Sequence, residues 1–372
     1  MTAEIVFNEP ITEWGWKVGV YVALIGIAGG AYLAGYAADV VSYRRGSAGH
    51  GAIAKWAYLV GLGGLVIGPP ILLSHLATPL RAMLIPLTMT NLGSWMTIGA
   101  YMLGGLGIGS TLMFLWLAFG TERPHARAAG RESAVADGGR DVASDGGPAR
   151  AATGDRTVGG FRGVADRVGL LGAVDSVADV TRPSEKTRLL LGALFGVFAA
   201  GVLLYSAMAY GEGSAQRVAL WEKTFLVPVQ IFSGLGVGLV TALALAAVFD
   251  RTPGAVLRTY ATAAVGLLGA TALALAATVV LLPGQRPAAT AGVENLLGTH
   301  ALAFVGVSVV LGLLVPVALL VAAVLGERRG SLSETAVVSS YVTAAALATV
   351  GKVTLAITYL MAAEFAPMPL PV

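Results

Sequence analysis

The chain has no cysteine among its 372 residues. It therefore cannot hold a cysteine-ligated iron–sulfur cluster, a thioether-attached haem or a disulfide of its own. Charge is nearly as scarce. Asp, Glu, Lys and Arg make up 12% of the residues, against about 25% in soluble domains. There are four histidines. A haem held by two histidines needs a facing pair inside a helical bundle. His75 with His300 is the one conceivable pair, enough for a single haem at one edge, so the expectation is no haem and no metal. A net charge of +3, without a basic cluster carrying interleaved aromatics, gives no footing for nucleic acid. No basic segment or cleavage site precedes the first apolar run, so that run is expected to be retained as a span.

What the chain has instead is apolar length. It is 56% hydrophobic, and its charges gather in short loops between long uncharged runs. A bilayer crossing takes roughly 20 apolar residues. Eight stretches qualify: 16–41, 56–74, 93–119, 189–209, 224–249, 259–282, 301–325 and 336–360. The expected fold is all-α, a polytopic membrane bundle of eight transmembrane helices. Residues 1–119 hold the first three, with a loop over 75–96, and residues 188–372 hold the last five. The 50 glycines fit close backbone approach in lipid, where no hydrophobic force draws helices together.

The connection over 120–187 is long and rich in Gly, Ala, Asp and Arg. Up to about residue 160 its composition is that of a disordered segment. Over 161–180 apolar residues recur near helical spacing, at Phe161, Val164, Val168, Leu171 and Val174. Two readings stand: a helix lying on the membrane face, and a weakly ordered linker. Basic residues fix the orientation, since basic loops stay cytoplasmic. One side carries Arg44, Arg45, Lys55, Arg123, Arg127, Lys186, Arg188, Arg251, Arg258, Arg328 and Arg329. The other carries Lys17, Arg81, Arg217, Lys223 and Arg286. Both termini and the loop after the second run are thus expected outside, at a cell membrane.

Polar groups within lipid are costly and default to functional candidates. Lys352 lies about two-thirds along the eighth run. It either snorkels to the surface or donates hydrogen bonds in an internal pocket. Tyr205, Tyr210 and Tyr359, near the outer ends, fit an interfacial aromatic belt, as do Trp14, Trp16, Trp95 and Trp221. Asp39 is expected to face headgroups or Arg44. Pro79 ends the second helix near His75, and His75 can exchange protons near neutral pH.

The stretch His75-Leu-Ala-Thr-Pro-Leu-Arg81 resembles the His-Leu-Gly-Arg/Lys-Pro-x-Arg segment of the NrfD/polysulfide reductase membrane-subunit family. Asn91-Leu-Gly-Ser-Trp-Met96 is similar to that family's Asn-x-x-Ser-Trp-Met step into the third span. Trp14-Gly-Trp16-Lys-Val-Gly-Val-Tyr21 with Gly26-Ile-Ala-Gly-Gly30 resembles its first span, and Gly196-Val-Phe-Ala-Ala-Gly-Val-Leu-Leu204 its fourth. Ala77 and Thr78 depart from the usual glycine and basic residue, and the 120–187 loop looks like an insertion. The resemblance implies a membrane anchor that oxidises menaquinol or ubiquinol near the outer face. Its partners would be an iron–sulfur electron-transfer subunit and a molybdopterin catalytic subunit. Quinone contacts would come from the first and fourth spans, regionally Trp16, Tyr21 and Tyr205, with Lys352 as a further candidate. His75 and Tyr205 are the expected catalytic groups. Arg81, Asn91 and Trp95 would meet the partner.

The implied mechanism sends quinol protons outward through His75 and carboxylates such as Glu13, and electrons singly to the partner. Two rivals remain, a multi-pass secondary transporter and a structural anchor without a working quinone site. A topology reporter fused at the C-terminus is expected to read as outside, and a cytoplasmic reading contradicts the orientation.

Overall fold

The computed structural model describes residues 15–75, 84, 91–119, 169–208, 210, 218–250, 252–285 and 287–363. Among these, eight helices are long and apolar enough to cross a membrane. They are α1 (Trp16–Arg45), α2 (Ala48–Leu73), α3 (Trp95–Ala118), α5 (Glu185–Met208), α6 (Lys223–Phe249), α7 (Gly254–Leu281), α9 (Leu302–Arg328) and α10 (Glu334–Met361). Two short helices lie between them, α4 (Leu171–Thr181) and α8 (Pro287–Leu297), with a 3₁₀ turn at Ala219–Trp221. The expected all-α, eight-span bundle is what the chain forms.

Local chemistry sets the ends. Arg44 and Arg45 occupy the last turn of α1, and Gly46 follows in the left-handed conformation at φ 64°. Cations favour a helix C-terminus, and glycine adopts that backbone without a Cβ clash. Ser333 caps α10 by accepting from Ala336 N at 3.3 Å, with Glu334 in the first turn. α2 begins eight residues before the expected 56. Lys55 there pairs with Asp250 at 2.6 Å, and Trp56 Nε1 donates to the same carboxylate at 2.8 Å. A cation so satisfied need not end the helix. α9 opens as a π-helix over Leu302–Leu314 before becoming α-helical at Val315–Arg328. Pro316, which has no N–H to give the α-helical ladder, follows directly.

The spans form two four-helix units. In the first, α1 packs on α2 and α5, and α3 packs on α2 and α5. In the second, α6 packs on α7 and α10, and α9 packs on the same two. The pairing pattern repeats, though the sequence shows no clear internal repeat. The units meet chiefly where α1 crosses α6. A Cβ on Gly234 would lie 2.6 Å from Gly26 O, and one on Gly238 2.5 Å from Ala31 N. A Cβ on Gly30 would collide with the Gly234 carbonyl. Dispersion between backbones in direct contact supplies the attraction that hydrophobicity cannot supply in lipid.

Gly30→Val should therefore disperse the purified protein on size exclusion or lower its melting temperature steeply. Gly266→Val, on α7 with open space around it, should leave both unchanged. Equal behaviour of the two variants would show that the α1–α6 contact does not hold the units together.

Candidate functional site

Two faces of the bundle follow from the helix order. One carries Trp16, His75, Asn91–Trp95, Tyr210, Trp221 and α8. The other carries Arg45, Phe119, α4, Arg188, Asp250 and Arg328. Near the first face the chain builds a small mouth. Lys17 Nζ donates to Ser74 O at 3.2 Å, tying the start of α1 to the end of α2. His75 follows, half-buried, its N–H donating to Leu72 O at 2.9 Å. Asn91 makes an Asx turn, its Oδ1 accepting from Gly93 N at 2.9 Å, and the chain enters α3 at Trp95, which packs against the core. Arg81 and Pro79 lie outside the described residues.

Under this mouth two tyrosines meet. Tyr21 on α1 and Tyr205 on α5 are 3% and 8% exposed, and their phenol groups are close neighbours. Tyr21 lies five residues below Trp16, about 7–8 Å at the helical rise. Gly99 on α3 makes room for Tyr205. A methyl there would sit 2.5 Å from the phenol ring. Gly68 on α2 performs a looser version of this for Tyr21, at 3.7 Å. All four helices of the first unit thus contribute to the tyrosine pair. Trp16 stands apart, 58% exposed on the outside of α1.

The second polar cluster belongs to the other unit. Lys352 on α10 is 3% exposed. Its ammonium donates to Gln230 Oε1 and to Ser233 Oγ, the latter at 2.7 Å. Gln230 Nε2 in turn donates to Tyr210 OH at 3.3 Å. Tyr210 packs edge-on to Trp221, whose Nε1 donates to Tyr359 O at 2.9 Å. The two clusters approach at Gly26, where a Cβ would lie 3.3 Å from Ser206 Oγ and 3.8 Å from Lys352 Cε. Lys352 is about 13 Å from the end of α10, deeper than the tyrosines.

These positions correct several expectations. Lys352 does not snorkel; neutral oxygens from α6 satisfy it internally. Tyr205, Tyr210 and Tyr359 are not belt residues, because each is buried between helices. Trp221 is buried as well, at 2% exposed. Asp39 does not meet headgroups or Arg44. It is fully buried and paired with Arg188 at the start of α5, with Tyr58 beside the same carboxylate. Gln230 and Ser233 were missed. A glutamine followed three residues later by a serine on one face of an apolar helix was the available signal.

Among the described residues no group of three or more His, Asp or Glu side chains is placed to hold a metal ion. What the first face offers is hydroxyl, imidazole and ammonium chemistry close beneath a membrane surface: hydrogen bonding and proton exchange with a polar head carried on an apolar body.

The fold and this site define a class, multi-pass helical membrane proteins with a buried polar pocket near one face. The family described as "Polysulphide reductase, NrfD" matches residues 5–364, and the chain belongs to that family. No curated protein matches the chain. Members of the family are membrane subunits of oxidoreductase complexes and associate with other oxidoreductase subunits, and this chain is a multi-pass membrane protein of that kind.

Removing the amide acceptor should harm the fold more than removing the lysine. Gln230→Leu leaves a buried ammonium short of a partner, whereas Lys352→Met keeps the volume without the charge. Gln230→Leu should be the less stable by about 1–3 kcal/mol in detergent melts. The reverse order would mean that the amine is not held as described.

Proposed function

We propose that the chain binds and oxidises a quinol, menaquinol or ubiquinol, at the Tyr21–Tyr205 end of its first four-helix unit, and that this face is the outer face of the cell membrane. The observation that carries the reading is the tyrosine pair. Two buried phenols, one from α1 and one from α5, lie side by side just under a face reached by a histidine. A quinol headgroup offers two hydroxyls, and an apolar ring fits walls of glycine and aliphatic side chains.

The reaction is quinol to quinone with release of two protons and two electrons. Tyr205 and Tyr21 orient one hydroxyl, and His75 at the rim accepts a proton as general base. Glu13, the next expected carrier outward, lies outside the described residues. The electrons leave singly to an iron–sulfur subunit docked at the mouth, where Asn91, Trp95 and Arg81 provide contacts, and pass on to a molybdopterin subunit. Lys352 is set back in the second unit. Its field favours the anionic quinolate as the first proton departs, at a distance that makes it an electrostatic neighbour rather than a first contact. Trp16, facing outward, suits the lipid-side entry. With no cysteine the chain can hold no cysteine-ligated iron–sulfur cluster, and electron storage falls to the partner.

The repeated four-helix units would also suit a transporter, but family membership favours the redox role. Uptake of a solute by the reconstituted chain alone would restore that rival.

In the purified complex, Tyr205→Phe and His75→Ala should each lower quinol oxidation at least tenfold while subunit assembly is retained. Full quinol activity in both variants would remove this site from consideration.

A further inference from the structure

α4 is too short to span. Its 11 residues reach about 17 Å, against a hydrocarbon core of about 30 Å. It is nevertheless fixed at a membrane boundary, because it joins the far end of α3 to the start of α5. Thr181 Oγ1 accepts from Trp116 Nε1 at 3.0 Å. Arg182 donates to Trp116 O at 2.7 Å and to Phe119 O, capping the end of α3. Three residues later α5 begins at Glu185.

The side chains of α4 divide three ways. Ala178 is buried towards α3. Asp175 and Asp179, four apart, share one face. Leu170, just before the helix, and Val177 and Val180 within it are 55%, 52% and 87% exposed. At 100° per residue the centre of this apolar ridge lies about 170° from the two aspartates. Packing against α3 gives no reason for the valines to lie opposite the acids. A water–hydrocarbon boundary supplies one. The neighbouring span α5 likewise carries exposed apolar side chains, Leu190, Leu194 and Val197.

We propose that α4 lies in the membrane interface at the face opposite the tyrosine mouth. Its Leu170–Val177–Val180 ridge is sunk into the headgroup–acyl boundary, and Asp175 and Asp179 face water. The occupant of the ridge is the lipid surface itself. Its role is to hold the ends of α3 and α5 on that face at a set depth. This inference does not depend on the quinol reading.

The chain's lack of cysteine makes the test direct. Single cysteines at Val177, Val180, Asp175 and Asp179 are spin-labelled in the full-length protein in phosphatidylcholine–phosphatidylglycerol nanodiscs. Collision with oxygen, which concentrates in lipid, is compared with collision with a water-soluble nickel chelate. Labels at 177 and 180 should favour oxygen at least threefold over labels at 175 and 179, with the chelate showing the opposite order. The valine labels overturn the proposal if they collide with the chelate as freely as the aspartate labels do. They also overturn it if they are shielded from both reagents, as a covering protein segment or partner subunit would shield them. Thermal melts of the same variants identify any that fail to fold, and a second ridge position, Leu170→Cys, then replaces the lost one.

Discussion

The bundle depends on one backbone-to-backbone crossing, α1 over α6 at Gly26, Gly30, Gly234 and Gly238. In lipid the hydrophobic effect does not draw helices together, so close dispersion contact must. At this crossing no side chain intervenes. The consequence is both structural and chemical. The two four-helix units are drawn close enough for Lys352 of one to lie against Gly26 of the other. The polar groups of the two units therefore form neighbouring clusters. A single bulky residue at the crossing would separate them.

The same economy governs the polar residues. Among the described residues no buried charge is left to water. Lys352 is held by an amide and a hydroxyl, and Asp39 by Arg188. Breaking a buried ion pair by removing one partner costs about 3–5 kcal/mol. The Asp39–Arg188 pair thus pins α5 to α1 near the face opposite the mouth, while Tyr21 and Tyr205 pack between the same two helices near the mouth. The proposed quinol site would draw on that packing, because Tyr21 and Tyr205 come from different helices.

Much of this was legible in the sequence. Apolar run length gave eight spans and the all-α bundle, because in lipid each helix must satisfy its own backbone. The His75 and Ser94-Trp95-Met96 motifs pointed to the family to which the chain belongs. Individual side-chain directions were not legible. Tyr205 and Tyr359 looked like belt residues because distance from a helix end gives depth but not azimuth. Asp39 paired across 149 residues with Arg188, a partner no local pattern could name. The lysine's partners were invisible for the same reason. The repeat of pairing between the two units left no trace in the residues, since packing in lipid constrains small size more than identity.

The proposed function rests on a quinone headgroup seated between α1 and α5. A photoreactive azidoquinone, irradiated with the intact complex and mapped by peptide mass spectrometry, tests it most directly. The expected result is labelling on peptides containing Tyr21 and Tyr205, competed away by excess unlabelled quinone. Labelling confined to α7 and α9 of the second unit, with the complex still turning over quinol, would contradict it.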